Sequence, residues 1–197
     1  EFPNITAAGV GRPGVIVKGT VATCDISVFA GVPVEQQMRE RFGIYVQADN
    51  AMNYTAYGFY RSSCMDVTAP VAYVFKPEVP CLGCGMVING QVLQGASQFA
   101  GEVSHLPFTD MDKLPVADEM AKVIVSLAAI VNPVTIALSG PKISEALIPD
   151  LLERCLLHIP AQHMPELVYR PSMRQDYLQG ITELTLNNYN RHVAFSI

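Results

Sequence analysis

The chain has 197 residues, half of them hydrophobic and only 16% charged, with a mean hydropathy of +0.25, which provides for a substantial core and excludes intrinsic disorder. Thirteen basic against 18 acidic residues leave a net charge of −5 with no Lys/Arg run, so nucleic-acid binding through this segment is not expected. Five cysteines, Cys24, Cys64, Cys81, Cys84 and Cys155, suit reduced thiols in the cytoplasm, and the longest apolar stretch, Val123 to Leu138, is broken by Ser126 and Asn132-Pro133, so no membrane segment is expected.

Along the chain, Ala7 to Lys18 reads as a buried strand that enters a turn at Arg12-Pro13-Gly14 and leaves extended. Pro33 at a first helical position, an apolar repeat at Val34, Met38 and Phe42, and Gly43 as a left-handed stop predict a helix over 33–42. A strand over Ile44 to Gln47 follows, then Asp49-Asn50, then a helix to about Arg61. Val71 to Phe75 and Gly85 to Ile88 are strands, and Asn89-Gly90 marks a hairpin returning as Gln91 to Leu93. His105 to Leu114 reads as loop. Met120, Val123, Ile124, Leu127, Ala128 and Val131 form a helical stripe that Pro133 stops. A buried strand over Val134 to Leu138, a helix to about His158, a short strand near Leu167-Val168 and a last helix over about 175–190 complete an α/β pattern. Two polar residues, Asp49 and Asn50, fall where a strand ends and a helix begins, the place where α/β proteins gather ligands.

The order of motifs resembles the ROK family of sugar kinases and sugar-responsive repressors. Gly9-Val-Gly-Arg-Pro-Gly14 is similar to the family's small-residue strand ending in Pro-Gly, and Phe42-Gly-Ile-Tyr-Val46 to the strand that carries its Asn-Asp-x-Asn motif. Gly85-Met-Val-Ile-Asn-Gly90 and Gly95-Ala-Ser-Gln-Phe-Ala-Gly-Glu-Val-Ser-His105 resemble its hairpin and its Gly-Glu-x-Gly-His segment. Asn132-Pro133 and Ser139-Gly140 resemble a later helix end and strand end. The resemblance implies an actin-like, ribonuclease H-like ATPase fold with part of a first lobe in 1–66, a nearly complete second lobe in 67–172, and a C-terminal helix in 173–197 packing back toward the first. It also implies a homodimer.

A sugar kinase needs a carboxylate base, acceptors for the other hydroxyls and Gly-rich loops for ATP phosphates. The resemblance assigns sugar contacts to Asn50, Gly95, Glu102 and His105; read on spacing alone, Glu102 and His105 are equally a capping residue and a surface histidine. Asn50 and Asn53 fall on the two asparagines of Asn-Asp-x-Asn, but Ala51 falls on the catalytic aspartate. Asp49 is the substitute base if the chain is a kinase, and otherwise a helix cap. Where kinases have Gly-Thr-Gly-x-Gly, the chain reads Val79-Pro-Cys-Leu-Gly83, leaving Gly83 and, later, Gly140 as residual nucleotide contacts; Pro80 has no N–H to donate. The family's Asp-x-Gly-Gly-Thr loop has no counterpart, so a truncated, degenerate member is expected. Zinc is not expected either: Cys81-Leu-Gly-Cys84 lacks a second pair, the family's cysteine motif after the histidine is missing, and Asp110 with Asp112 suits a solvated loop. His158, His163 and His192 read as structural. The resulting expectation is a non-catalytic domain that senses a sugar or sugar phosphate, the regulatory part of a repressor, needing no cofactor; the alternative is a hexose or amino-sugar kinase using ATP and Mg.

Overall fold

A computed structural model of the chain describes residues 4–23, 27–63, 66–108 and 113–195. Cys24, Cys64, Asp110 and Asp112 lie outside the described residues.

Strand β1 (Ala7–Arg12) pairs in parallel with β4 (Tyr45–Asn50), while β2 (Val15–Val17) and β3 (Thr20–Thr23) form a small antiparallel hairpin. The extended piece expected after the Gly14 turn is β2, with β3 following beyond Lys18, whereas β1 is half-buried along its whole length rather than buried. Helix α1 (Val34–Phe42) lies between them and β4, and Gly43 ends it at φ 64°, donating its N–H to the Arg39 carbonyl. Of its apolar stripe, Val34 is buried and Met38 partly buried, but Phe42 is 54% exposed, since 3.6 residues per turn carry a position eight residues on roughly 80° round the helix from Val34. Besides this apolar packing, the Ala48 N–H of β4 donates to Glu35 Oε1 of α1 at 2.7 Å.

The larger sheet has the order β7-β6-β5-β8-β9, built from β5 (Val71–Phe75), β6 (Gly83–Ile88), β7 (Gln91–Val92), β8 (Thr135–Ser139) and β9 (Glu166–Tyr169). The hairpin β6-β7 turns through Asn89 and Gly90, both at positive φ as an Asn-Gly turn requires. Strands β5, β8 and β9 are parallel, with α3 (Val116–Ile130) between β7 and β8 and α4 (Ile148–Leu156) between β8 and β9. Alternation along β5 divides the core. Ala72 and Val74 join Met120, Ile124 and Leu151 beneath α3 and α4, whereas Val71 and Tyr73 face α2 (Ala51–Ser63) through Ala56 and Phe59.

The last helix, α5 (Arg174–Ala194), crosses α2 at two glycines. A Cβ on Gly58 would fall on the Asp176 carbonyl oxygen, and one on Gly180 on the Tyr54 carbonyl oxygen, so neither position admits a larger residue without parting the helices. At the start of α5, buried Asp176 receives Nε and Nη2 of Arg170 at 2.9 and 2.6 Å, which ties β9 to the helix. Among the described residues no helix is long and apolar enough to cross a membrane.

Candidate functional site

The strand end of β4 becomes the N-terminus of α2 within one residue, and Asp49 and Asn50 occupy the junction. Asn50 Oδ1 accepts the Met52 N–H at 2.8 Å, which is the capping role expected of an asparagine there. Its amide nitrogen is thereby turned the other way and donates to the Gly14 carbonyl at 3.0 Å and to Glu102 Oε1 at 3.3 Å. One residue thus caps the helix and gathers two distant segments.

Asp49 is buried, 6% exposed. Its Oδ1 accepts from the Asn50 N–H and from Asn53 Nδ2, both at 2.7 Å, and its Oδ2 accepts from Gln94 Nε2 at 2.9 Å. Burial pushes the carboxyl above its ordinary value, the three donors pull it back in part, and the negative charge of Glu35 adds to the upward shift. Ala51 is the first residue of α2, and its methyl offers no acceptor.

The Gly-rich segment approaches from β7. Gly95, at φ 70°, opens a turn that the Ala100 N–H closes on the Gln94 carbonyl at 3.2 Å. Gly101, at φ 94°, lies against the Cys84 carbonyl, and this close approach brings Glu102 beside β6. A 3-10 turn over Val103–His105 follows, and Ser104 fastens it by accepting the Leu82 N–H at 2.7 Å and donating to the Leu82 carbonyl at 3.1 Å. Glu102 reaches Asn50, while the exposed His105 ring lies against Phe99 with centroids 5.1 Å apart. Hydrogen bonds thus join Asn50 to Glu102 and Asp49 to Gln94, the residue before Gly95, while His105 follows three residues after Glu102 on the outside of its turn.

The end of β5 is organised differently. Lys76 and Glu119, from the first turn of α3, form an ion pair at 3.0 Å with side chains only 5% and 6% exposed, and Lys76 Nζ also reaches the Cys81 carbonyl at 3.4 Å. The Lys76 N–H donates to the Ser139 carbonyl at 2.9 Å. Gly140 packs on the Lys76 carbonyl, and a Cβ on Gly83 would come within 2.7 Å of Met52 Cγ. Both glycines are thus accounted for by close packing against protein. Cys84 is buried among apolar side chains, and burial, aided by the charge of Glu102, pushes its thiol up to about 12, so it is a poor thiolate. Among the described residues no three His, Cys, Asp or Glu side chains group as metal ligands. A groove of about 440 Å³ along α3 and α4, lined in part by Phe108, Lys122, Arg154 and His158, contains none of the cleft residues.

A family model described as the ROK family matches residues 1–115, more than half of the chain. The chain belongs to the ROK family. A xylose repressor from Caldicellulosiruptor bescii is 30% identical to this ROK protein over 112 residues, which is 55% of the chain and 27% of the repressor, so the match spans about a quarter of that relative's length. A ROK family glucokinase from Streptomyces griseus, solved in complex with glucose and AMPPNP, superposes with a TM-score of 0.75 at 14% identity, covering 93% of this chain and 82% of that one. A ROK family transcriptional regulator, a homologue of the E. coli MLC protein, superposes at 0.63 with 16% identity, covering 91% and 65%. These likenesses establish the actin-like α/β fold for the ROK chain.

Sequence reasoning missed one residue at the junction and one pair at the end of β5. Gln94 precedes the Gly-rich segment and holds Asp49 through a contact between residues 45 positions apart, for which no local pattern exists. The Lys76–Glu119 pair spans 43 positions, and each partner alone reads as an ordinary surface charge.

Proposed function

We propose that this chain binds a sugar in the cleft between the β4-α2 junction and the Gly-rich segment, and that it senses this ligand without transferring a phosphoryl group to it. Asn50 and Glu102 supply polar contacts to hydroxyls, Gly95 allows close backbone approach, and His105 closes the outer side. The observation that carries the reading is the contrast at the junction itself: Asn50 and Glu102 stand linked at 3.3 Å, while Ala51 stands where a base would be needed. The segment before Gly83 supports the same reading, since the N–H groups of Cys81 and Leu82, which a phosphate loop would need free, donate to the Val79 carbonyl and to Ser104 Oγ, both at 2.7 Å. The xylose repressor among its relatives makes pentoses candidates alongside hexoses and amino sugars, and makes a regulatory role the natural setting. Among the described residues Cys81, Cys84 and Cys155 are free thiols, which suits a cytoplasmic protein.

Isothermal titration with xylose, glucose, N-acetylglucosamine and their phosphates tests the reading. Saturable binding of one of them, weakened by Glu102→Gln, is expected; heat of dilution alone for all of them overturns it.

A kinase reading rests on one specific observation, the buried Asp49 carboxyl two residues before Ala51, raised by burial. Its three donors hold it as a structural acceptor. A coupled ADP-release assay decides between the readings: no turnover is expected, whereas turnover abolished by Asp49→Asn would establish the kinase.

A further inference from the structure

Arg12 is the last residue of β1 and the register partner of Asn50, so both side chains leave the two-stranded sheet on the same face. Two residues further on, the Gly14 carbonyl already belongs to the cleft. The guanidinium carbon of Arg12 stands 3.4 Å from the centroid of the Phe29 ring, so the ring covers the flat face of the cation. Nε and Nη2 are enclosed by protein and donate to no acceptor among the described residues. Stacking on Phe29 does nothing for these N–H groups, because they lie in the guanidinium plane and point along its edge. An arginine keeps its charge, and enclosed donors without an acceptor are costly. An acceptor that arrives with a ligand resolves that cost.

The identity of the unpaired atoms narrows the chemistry. Nε and Nη2 together make the side-on fork that grips two oxygens of one carboxylate or phosphate. The same fork is filled elsewhere in the molecule, where Nε and Nη2 of Arg170 take the two carboxylate oxygens of Asp176. We propose that Arg12 reads an anionic substituent on the sugar, a carboxylate or a phosphate, through Nε and Nη2. The proposal rests on the cleft being a sugar site and adds to it the class of sugar.

Titration of the full chain with glucose, glucuronate and glucose 6-phosphate, and with xylose and its phosphate, tests it. At least one anionic sugar is expected to bind more tightly than its neutral parent by about tenfold or more, as a charge-assisted fork implies. Whether glucuronate or the phosphates show the gain identifies the anion. Arg12→Met is expected to collapse the anion-to-neutral affinity ratio, and Arg12→Lys, which keeps the charge and loses the fork, to restore only part of it. In the ligand-free protein Arg12→Met should leave the melting temperature unchanged or raise it, because it removes unpaired donors; a merely structural stack on Phe29 would lower it. Neutral and anionic sugars binding equally, or a ratio that survives Arg12→Met, overturns the role of Arg12 and leaves the sugar site standing. No binding by any sugar overturns the sugar site and this proposal together.

Discussion

The β4-α2 junction and the end of β5 are both strand ends of the kind that collect ligands, yet they handle their polar groups in opposite ways. At the junction, Asn50 spends one half of its amide on the helix and turns the other half toward Gly14 and Glu102 in a partly exposed cleft. At the end of β5, Lys76 and Glu119 spend their charges on each other out of contact with water, and Gly140 packs against the Lys76 carbonyl. Polar groups satisfied inside the protein stabilise one arrangement; polar groups presented at a cleft remain available to a ligand. The same fold therefore carries one strand end tied by a part-buried hydrogen-bond cluster, which the proposed sugar site would use, and another closed by a buried ion pair.

The comparison can be broken most forcefully at Lys76. Lys76→Met leaves Glu119 buried and unpaired, and urea unfolding should register a loss of about 3–5 kcal/mol. Lys76→Met combined with Glu119→Leu should recover most of it, since the pair is replaced by apolar packing. A single variant as stable as wild type would mean that the end of β5 is not internally closed. At the junction, Asn50→Ala removes the cap from α2 and should cost about 1 kcal/mol by the same measurement. It should also abolish the binding that titration detects, because the Glu102 contact goes with it. Stability losses at one end with binding losses at the other are the signature expected of this division.

Two smaller effects sharpen it. The raised carboxyl of Asp49 binds its proton more tightly in the folded than in the unfolded chain, so its contribution to stability falls as pH rises from about 4, the unfolded value, and levels off once the folded carboxyl is ionised. The wild type minus Asp49→Asn stability difference, followed by thermal melts across that window, should therefore decline with pH; a difference that rises would place Asp49 in a favourable charged environment instead. Glu102→Gln preserves shape and a hydrogen-bonding oxygen toward Asn50, so melting should move by less than about 0.5 kcal/mol equivalent, the ordinary range for a partly exposed substitution. Sugar affinity is the readout that should change.

Much of the fold was legible in the sequence because its signals are local. The Asn89-Gly90 turn, the Gly43 stop, the β5 strand and the α3 stripe all lie where short-range chemistry predicts them. Misreadings came where packing overrides pattern, as at Phe42, which keeps the helical spacing and still faces water. At the cleft, Asp49, Asn50, Gly95 and Glu102 could be named from motifs that resemble the ROK family, but their relations could not. The 52 positions between Asn50 and Glu102 and the 45 between Asp49 and Gln94 are bridged by the fold.

By itself, then, the sequence determined which segments are strands and helices and which residue types stand at the strand ends. Those properties follow from local propensity, periodicity and motif order. The tertiary structure alone decided that Asp49 is held by three donors, that Lys76 and Glu119 meet away from solvent, and that the edge of Arg12 is enclosed without an acceptor among the described residues. Burial and long-range pairing set the free energy of a charged group, and neither exists until the chain has folded.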